Sequence, residues 1–133
     1  MIFVDTGAFL ARYLARDQFH EQARTRWSEI ARGGMQCFTS NFVLDETFTL
    51  LARRAGYPFA AERARRLYAA RVMTIVRPGH DDEQEALVDF EKFADQKVSF
   101  TDCVSFVLMR KNKLQRVFSF DHHFRLAGYE LWN

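Results

Sequence analysis

Five short apolar runs, residues 2–5, 36–39, 72–76, 116–119 and 130–132, are separated by stretches of helical periodicity, and this alternation constrains the fold more than any other feature. Between the first two runs, Phe9, Leu10, Tyr13 and Leu14 and then Phe19, Ala23, Trp27, Ile30 and Ala31 follow a helical period up to Gly33-Gly34. Thr6 is expected to cap the first of these helices. Leu44, Phe48, Leu51, Ala52 and Ala55 mark a helix ending at Gly56, and Pro58 opens another that ends near Ala70. A helix over 80–93 starts with acids, and Phe100, Cys103, Val104, Val107 and Leu108 give the stripe of the last long one. Strands joined by helical crossovers imply an α/β fold, a mostly parallel sheet with helices on both faces. The 133 residues contain no linker, repeat or low-complexity tract, so residues 1–133 read as a single domain.

Composition fits a chain that folds unaided in a reducing cytoplasm. Hydrophobic residues make up 48% of it, including 14 Phe, enough for a sizeable core. The two cysteines, Cys37 and Cys103, fall in apolar segments and read as reduced thiols. There is no signal-peptide pattern, and no apolar run approaches the roughly 20 residues of a bilayer span. The net charge of +2 conceals a partition: residues 1–77 hold 12 Arg against 7 acids, residues 78–133 hold 7 basic residues against 10 acidic ones.

In open parallel sheets, ligands bind at the carboxyl ends of strands. Asp5 closes the first run and Asp121 follows the fourth. Asp5 alone is equally well explained as a cap or turn residue, and Asp121 alone reads more readily still that way. Glu46 lies one turn from Phe42 and from Leu50, so its carboxylate projects from a partly apolar face and needs a partner: Arg53 two turns on, or a metal shared with other acids. Asp45 points about 100° away and reads as solvated. Ser99-Phe100-Thr101-Asp102 matches a capping box, yet also sets Asp102 at a helix start where it can face a cleft. Converging carboxylates without Cys or His ligands form a hard-oxygen site suited to Mg²⁺ or Mn²⁺, and metal-assisted phosphodiester hydrolysis is the matching reaction class.

Asp5-Thr6-Gly7, Glu46 in the helix after Ser40-Asn41, Ser99-x-Thr101-Asp102 and Asp121-His122-His123-Phe124 resemble, in order and spacing, the motifs of PIN domains. The resemblance runs over essentially the whole chain and is strongest to the VapC-type toxins of VapBC toxin–antitoxin pairs. It implies a three-layer α/β/α sandwich with a five-stranded sheet of order 3-2-1-4-5. It also implies that Asp5, Glu46, Asp102 and Asp121 converge as catalytic and metal-binding residues, with Thr6 and Thr101 orienting carboxylates or water. The implied activity is a Mg²⁺- or Mn²⁺-dependent endoribonuclease, in which activated water attacks an RNA phosphate in line and leaves a 5′-phosphate. The implied partners are RNA, a cognate antitoxin protein and a second copy in a homodimer, with no membrane. A PIN-like DNA or structure-specific nuclease and a catalytically inactive binding module are the alternatives.

From Arg53 to Arg77 seven arginines face a single acid, Glu62. Arg53, Arg54, Arg63, Arg65 and Arg66 could form a solvated helix face, a phosphate-tracking surface with Tyr57 and Tyr68 as stacking rings, or a partner contact. His122 and His123 read as a turn or surface pair without a role. The acids at the start of the 80–93 helix are read as macrodipole partners.

Overall fold

The computed structural model describes residues Met1–Asn133. In chain order the elements are β1 (Ile2–Val4), α1 (Thr6–Tyr13), α2 (His20–Gly33), β2 (Cys37–Ser40), α3 (Asn41–Ala55), α4 (Tyr57–Ala69), β3 (Met73–Val76), α5 (His80–Lys92), α6 (Phe100–Lys111), β4 (Arg116–Phe118), α7 (His123–Leu126) and β5 (Glu130–Leu131). All strand pairs are parallel, in the order β3-β2-β1-β4-β5. This is the order that the resemblance implied, with helices flanking the sheet.

β1 is central, pairing Phe3 with Phe38 on one side and with Val117 on the other, and all three of its residues are fully buried. A strand covered on both faces must be apolar throughout, which is why the Ile2-Phe3-Val4 run does not alternate. Connections leave β1 toward β2, while the chain later returns to β4 on the opposite side. The crevice between the carboxyl ends of β1 and β4 is therefore the switch point where such sheets bind ligands.

Local chemistry fixes the helix ends. Ser40 caps α3, its hydroxyl accepting from the Val43 N–H at 3.1 Å, and Ser99 caps α6 by accepting from the Asp102 N–H at 3.1 Å. Gly56, at φ 96°, makes the break between α3 and α4 in a conformation that other residues adopt only with strain. Two expectations are corrected. The second strand runs one residue later than the apolar pattern indicates, because Ser40 still pairs with Val76 before capping α3. Thr6 is the first residue of α1 rather than its cap: Asp5 holds the cap position, and its side chain makes no capping bond.

The main core joins the sheet to its helices. Phe9, Trp27 and Phe118 tilt against one another at centroid distances of 5.5 and 5.3 Å, and Phe106 meets Phe93, Phe124 and Tyr129. The Trp27 indole donates to the Ala8 carbonyl at 3.0 Å, so its polar atom is satisfied. A separate cluster of Leu10, Leu51, Ala52 and Ala60, lined by Tyr13, Leu14, Leu50 and Phe59, fastens α3 and α4 to α1. Cys37 and Cys103 are buried free thiols, pushed up to about 11 by that burial.

Candidate active site

Four segments deliver the four acids to one place. Asp5 follows β1, Glu46 projects from the second turn of α3, Asp102 lies in the first turn of α6, and Asp121 follows β4. All four line one cleft of about 540 Å³, together with Thr6, Ser99, Lys97 and His123. One wall is the pair Phe19 and Phe120, stacked with parallel rings 4.4 Å apart.

Each carboxylate has its own support. Asp5 accepts from the Ser119 hydroxyl at 2.8 Å, and the same Ser119 oxygen accepts from the Asp121 N–H at 3.0 Å, so one side chain ties both strand-end acids together. Asp121 Oδ1 accepts from the His123 N–H at 2.9 Å, closing a tight turn. The His123 ring lies with Nδ1 3.3 Å from Asp121 Oδ1 and 3.6 Å from Asp102 Oδ2. Glu46 sits beside the Thr101 hydroxyl; Arg53 forms no ion pair with it and instead lines an adjoining groove.

The electrostatics are those of crowded anions with too little water. Asp5 and Asp102 are 5% and 7% exposed. Burial raises Asp5 to about 6, with the Ser119 hydrogen bond opposing the rise and the charges of Asp121 and Glu46 adding to it. Asp102 is pushed up to about 9, first by burial and then by the nearby charges of Asp5 and Asp121. Glu46 is also raised by burial, and the Thr101 hydroxyl offsets part of it. No Arg or Lys is ion-paired with any of the four. Beside them the Thr6 hydroxyl is buried without a hydrogen-bond partner. An all-oxygen donor set, mutual repulsion and an orphaned hydroxyl together fit a hard divalent cation.

The adjoining groove, about 740 Å³, runs along α3 past Asn41, Phe42, Asp45, Thr49 and Arg53 and shares Glu46 and Leu50 with the acid cleft. It is the larger depression, but it holds only one of the four acids, whereas the smaller one holds all four. The arginines divide. Arg53, Arg54, Arg65 and Arg66 are exposed, and Arg66 pairs with Glu62. Arg63 is half-buried over the rings of Phe59 and Tyr13, at 4.7 and 5.6 Å. Asp82, in the first turn of α5, accepts from the Gly79 N–H at 2.8 Å and pairs with Lys111, while Glu85 pairs with Arg110. These α5 acids stay clear of the cleft.

Sequence reasoning missed Ser119 and His123. Ser119 ends an apolar run two residues before an acid, but its partner is 114 residues away. His123 reads as half of a surface pair, whereas it begins α7 and only His122 is well exposed.

The crystal structure of Mycobacterium tuberculosis VapC20, titled a sarcin–ricin loop cleaving toxin, superposes with a TM-score of 0.88 at 35% identity, covering 98% of this chain and 97% of that one. The M. tuberculosis protein named 23S rRNA-specific endonuclease VapC20 is 39% identical over 132 residues, 97% of this chain and 95% of the relative. A protein named VapC ribonuclease from Archaeoglobus fulgidus is 29% identical over 133 residues, 97% of this chain and 83% of that protein. The PIN domain family model matches residues 2–128, and with a relative 39% identical over 97% of this chain, the chain belongs to the PIN domain family.

Proposed function

We propose that the chain is a Mg²⁺- or Mn²⁺-dependent endoribonuclease, the toxin of a toxin–antitoxin pair, with Asp5, Glu46, Asp102 and Asp121 as its catalytic and metal-holding residues. The observation that carries this reading is the convergence of four carboxylates, from four separate segments, on one cleft in which none is neutralised by Arg or Lys. An arrangement so unfavourable by itself is understandable when a cation completes it.

Asp5, Glu46 and Asp102 would hold the cation, with Asp121 reaching it directly or through water. The chemistry supplied by a bound Mg²⁺ or Mn²⁺ is Lewis-acid polarisation of the phosphate and acidification of a water molecule. The chain's own residues do the rest. Ser119 holds the Asp5 carboxylate in place and sets the start of the Asp121 turn, so that both strand-end acids share one anchor. Thr101 steadies Glu46, and the free Thr6 hydroxyl can orient a water or a phosphate oxygen. Lys97, on the lip, offers a positive charge to the backbone of an incoming strand. The exposed arginines of α3 and α4 extend that attraction outward from the cleft. A cognate antitoxin would act by covering the cleft, and two copies would form a homodimer.

The test is cleavage of ribosomes and of total RNA with Mg²⁺, Mn²⁺ or a chelator present. The named substrate of the 39% identical relative, 23S rRNA, is the first to be examined. Discrete RNA fragments that vanish with chelator and with Asp5→Asn are the expected result. Cleavage undiminished in Asp5→Asn would remove that residue, and the mechanism built on it.

A further inference from the structure

We propose that the lip of the cleft carries a second cation site of different chemistry, in which Asp121, His122 and His123 offer one oxygen and two ring nitrogens to a borderline-soft divalent ion of the Zn²⁺ class. Ligand atoms of the three residues lie within 4.8 Å of one another. Measured from Asp121 Oδ1, the His123 Nδ1 is at 3.3 Å and the His122 Nδ1 at 3.9 Å. The His123 Nδ1 is also 3.6 Å from Asp102 Oδ2, which makes a fourth donor available. Zn²⁺ bound tetrahedrally through N and O at roughly 2.0–2.2 Å holds its ligand atoms roughly 3.3–3.6 Å apart. The Asp121–His123 separation already matches that spacing, and the Asp121–His122 separation exceeds it by a few tenths of an ångström, on the side of the exposed His122 ring.

Three further features suit the assignment. The two rings lie with centroids 4.5 Å apart, and each has its Nδ1 within 4 Å of the same Asp121 oxygen. The His123 backbone N–H bond to Asp121 Oδ1 holds that carboxylate against the turn that carries both histidines. The His122 side chain is 75% exposed, which gives an ion direct access from solvent, whereas His123 at 18% is held against the cleft wall. Two imidazoles favour zinc or cobalt over magnesium, which prefers oxygen and octahedral geometry. The site differs from the all-oxygen quartet in its two nitrogen donors and overlaps it at Asp121 and Asp102. An ion on the lip withdraws one of the four acids and neutralises part of a second, so zinc opposes Mg²⁺-dependent cleavage. That inhibitory consequence rests on the nuclease reading; the binding itself does not.

The test titrates the protein with Co²⁺ and with Zn²⁺ at saturating Mg²⁺, reading the visible absorption of tetrahedral cobalt and the heat of zinc binding, with RNA cleavage measured on the same samples. One ion per chain is expected. His122→Ala, whose fold is checked by thermal unfolding, should lower zinc affinity by about tenfold or more and abolish the cobalt band. It should also render Mg²⁺-dependent cleavage insensitive to zinc. Equal zinc binding by parent and variant overturns the proposal, as does a parent that cleaves RNA with Mg²⁺ yet binds no zinc. Zinc binding that depends on His122, in a protein that cleaves no RNA under any condition, instead overturns the nuclease reading and leaves the lip site standing.

Discussion

The acid cleft and the α3–α4 arm hold charge in opposite ways. In the cleft, carboxylates of one sign are packed where water is scarce, and burial together with mutual repulsion drives Asp5, Glu46 and Asp102 upward. On the arm, Arg53, Arg54, Arg65 and Arg66 stand in solvent, and the Arg66–Glu62 pair is an exposed contact between residues one turn apart, of a kind worth roughly 0–1 kcal/mol. The cleft concentrates a penalty that a cation can relieve; the arm spreads charge where it is nearly free. On the proposed reading, catalysis and long-range attraction of a polyanion are thereby built from different physics, and substitutions in the two regions should differ accordingly.

The largest expected effect is in the cleft. Asp5→Asn should reduce RNA cleavage by on the order of a thousandfold, several kcal/mol of transition-state stabilisation, while thermal unfolding shows a folded protein. Next is the arm's own anchorage. Leu51 is fully buried in the small cluster that fastens α3 and α4 to α1, so Leu51→Ala should destabilise by about 2–5 kcal/mol in denaturant unfolding. A value within ~0.5 kcal/mol of zero would mean that the arm is not part of the cooperative fold.

The third effect is the penalty in the cleft, and its sign is specific. Asp5 and Asp102 bind protons more tightly folded than unfolded, so their contribution to stability is full below the ordinary value of 3.8 and is lost as pH rises through about 6 and then about 9. Metal-free protein should therefore lose stability across that window, and Mg²⁺ should restore it. Asp102→Asn should be more stable than the parent at pH 8 without metal, by about 1–3 kcal/mol, though inactive. A parent whose metal-free melting temperature is flat from pH 5 to pH 9 would contradict the crowding described here. The smallest effect is on the arm's surface. Arg65→Ala should change stability by no more than about 0.5 kcal/mol, yet lower the salt dependence of RNA binding by roughly 0.7 in slope if that arginine meets a phosphate.

What could be read from the sequence follows the range of the interactions involved. Asp5 and Asp121 were legible because strand ends are marked by the apolar runs that precede them, and ligand sites in parallel sheets lie at those ends. The place of Asp102 beside them was not legible from pattern: two helices separate β3 from β4, and periodicity does not give their direction. The motif resemblance supplied that step. Thr6 was misread because a hydroxyl before an apolar stripe usually caps; here it turns inward beside the acids, and the Asp5 carboxylate in the cap position is drawn off by Ser119. Ser119 itself was silent, since nothing near it in the chain reveals a partner just after β1. Adjacent His122 and His123 look alike in sequence and differ only through the short α7 that turns one of them inward.

The hydrogen bond between Ser119 and Asp5 also has a meaning in time. It joins residues 114 positions apart, and β1 has no partner on its other side until β4 exists. A ribosome making this chain delivers the first strand early and the serine that fixes its carboxylate near the end. Nascent chains that stall before β4 therefore hold the first three acids without the geometry to use them. Completion of the acid cleft therefore waits on the fourth strand of the chain to be made.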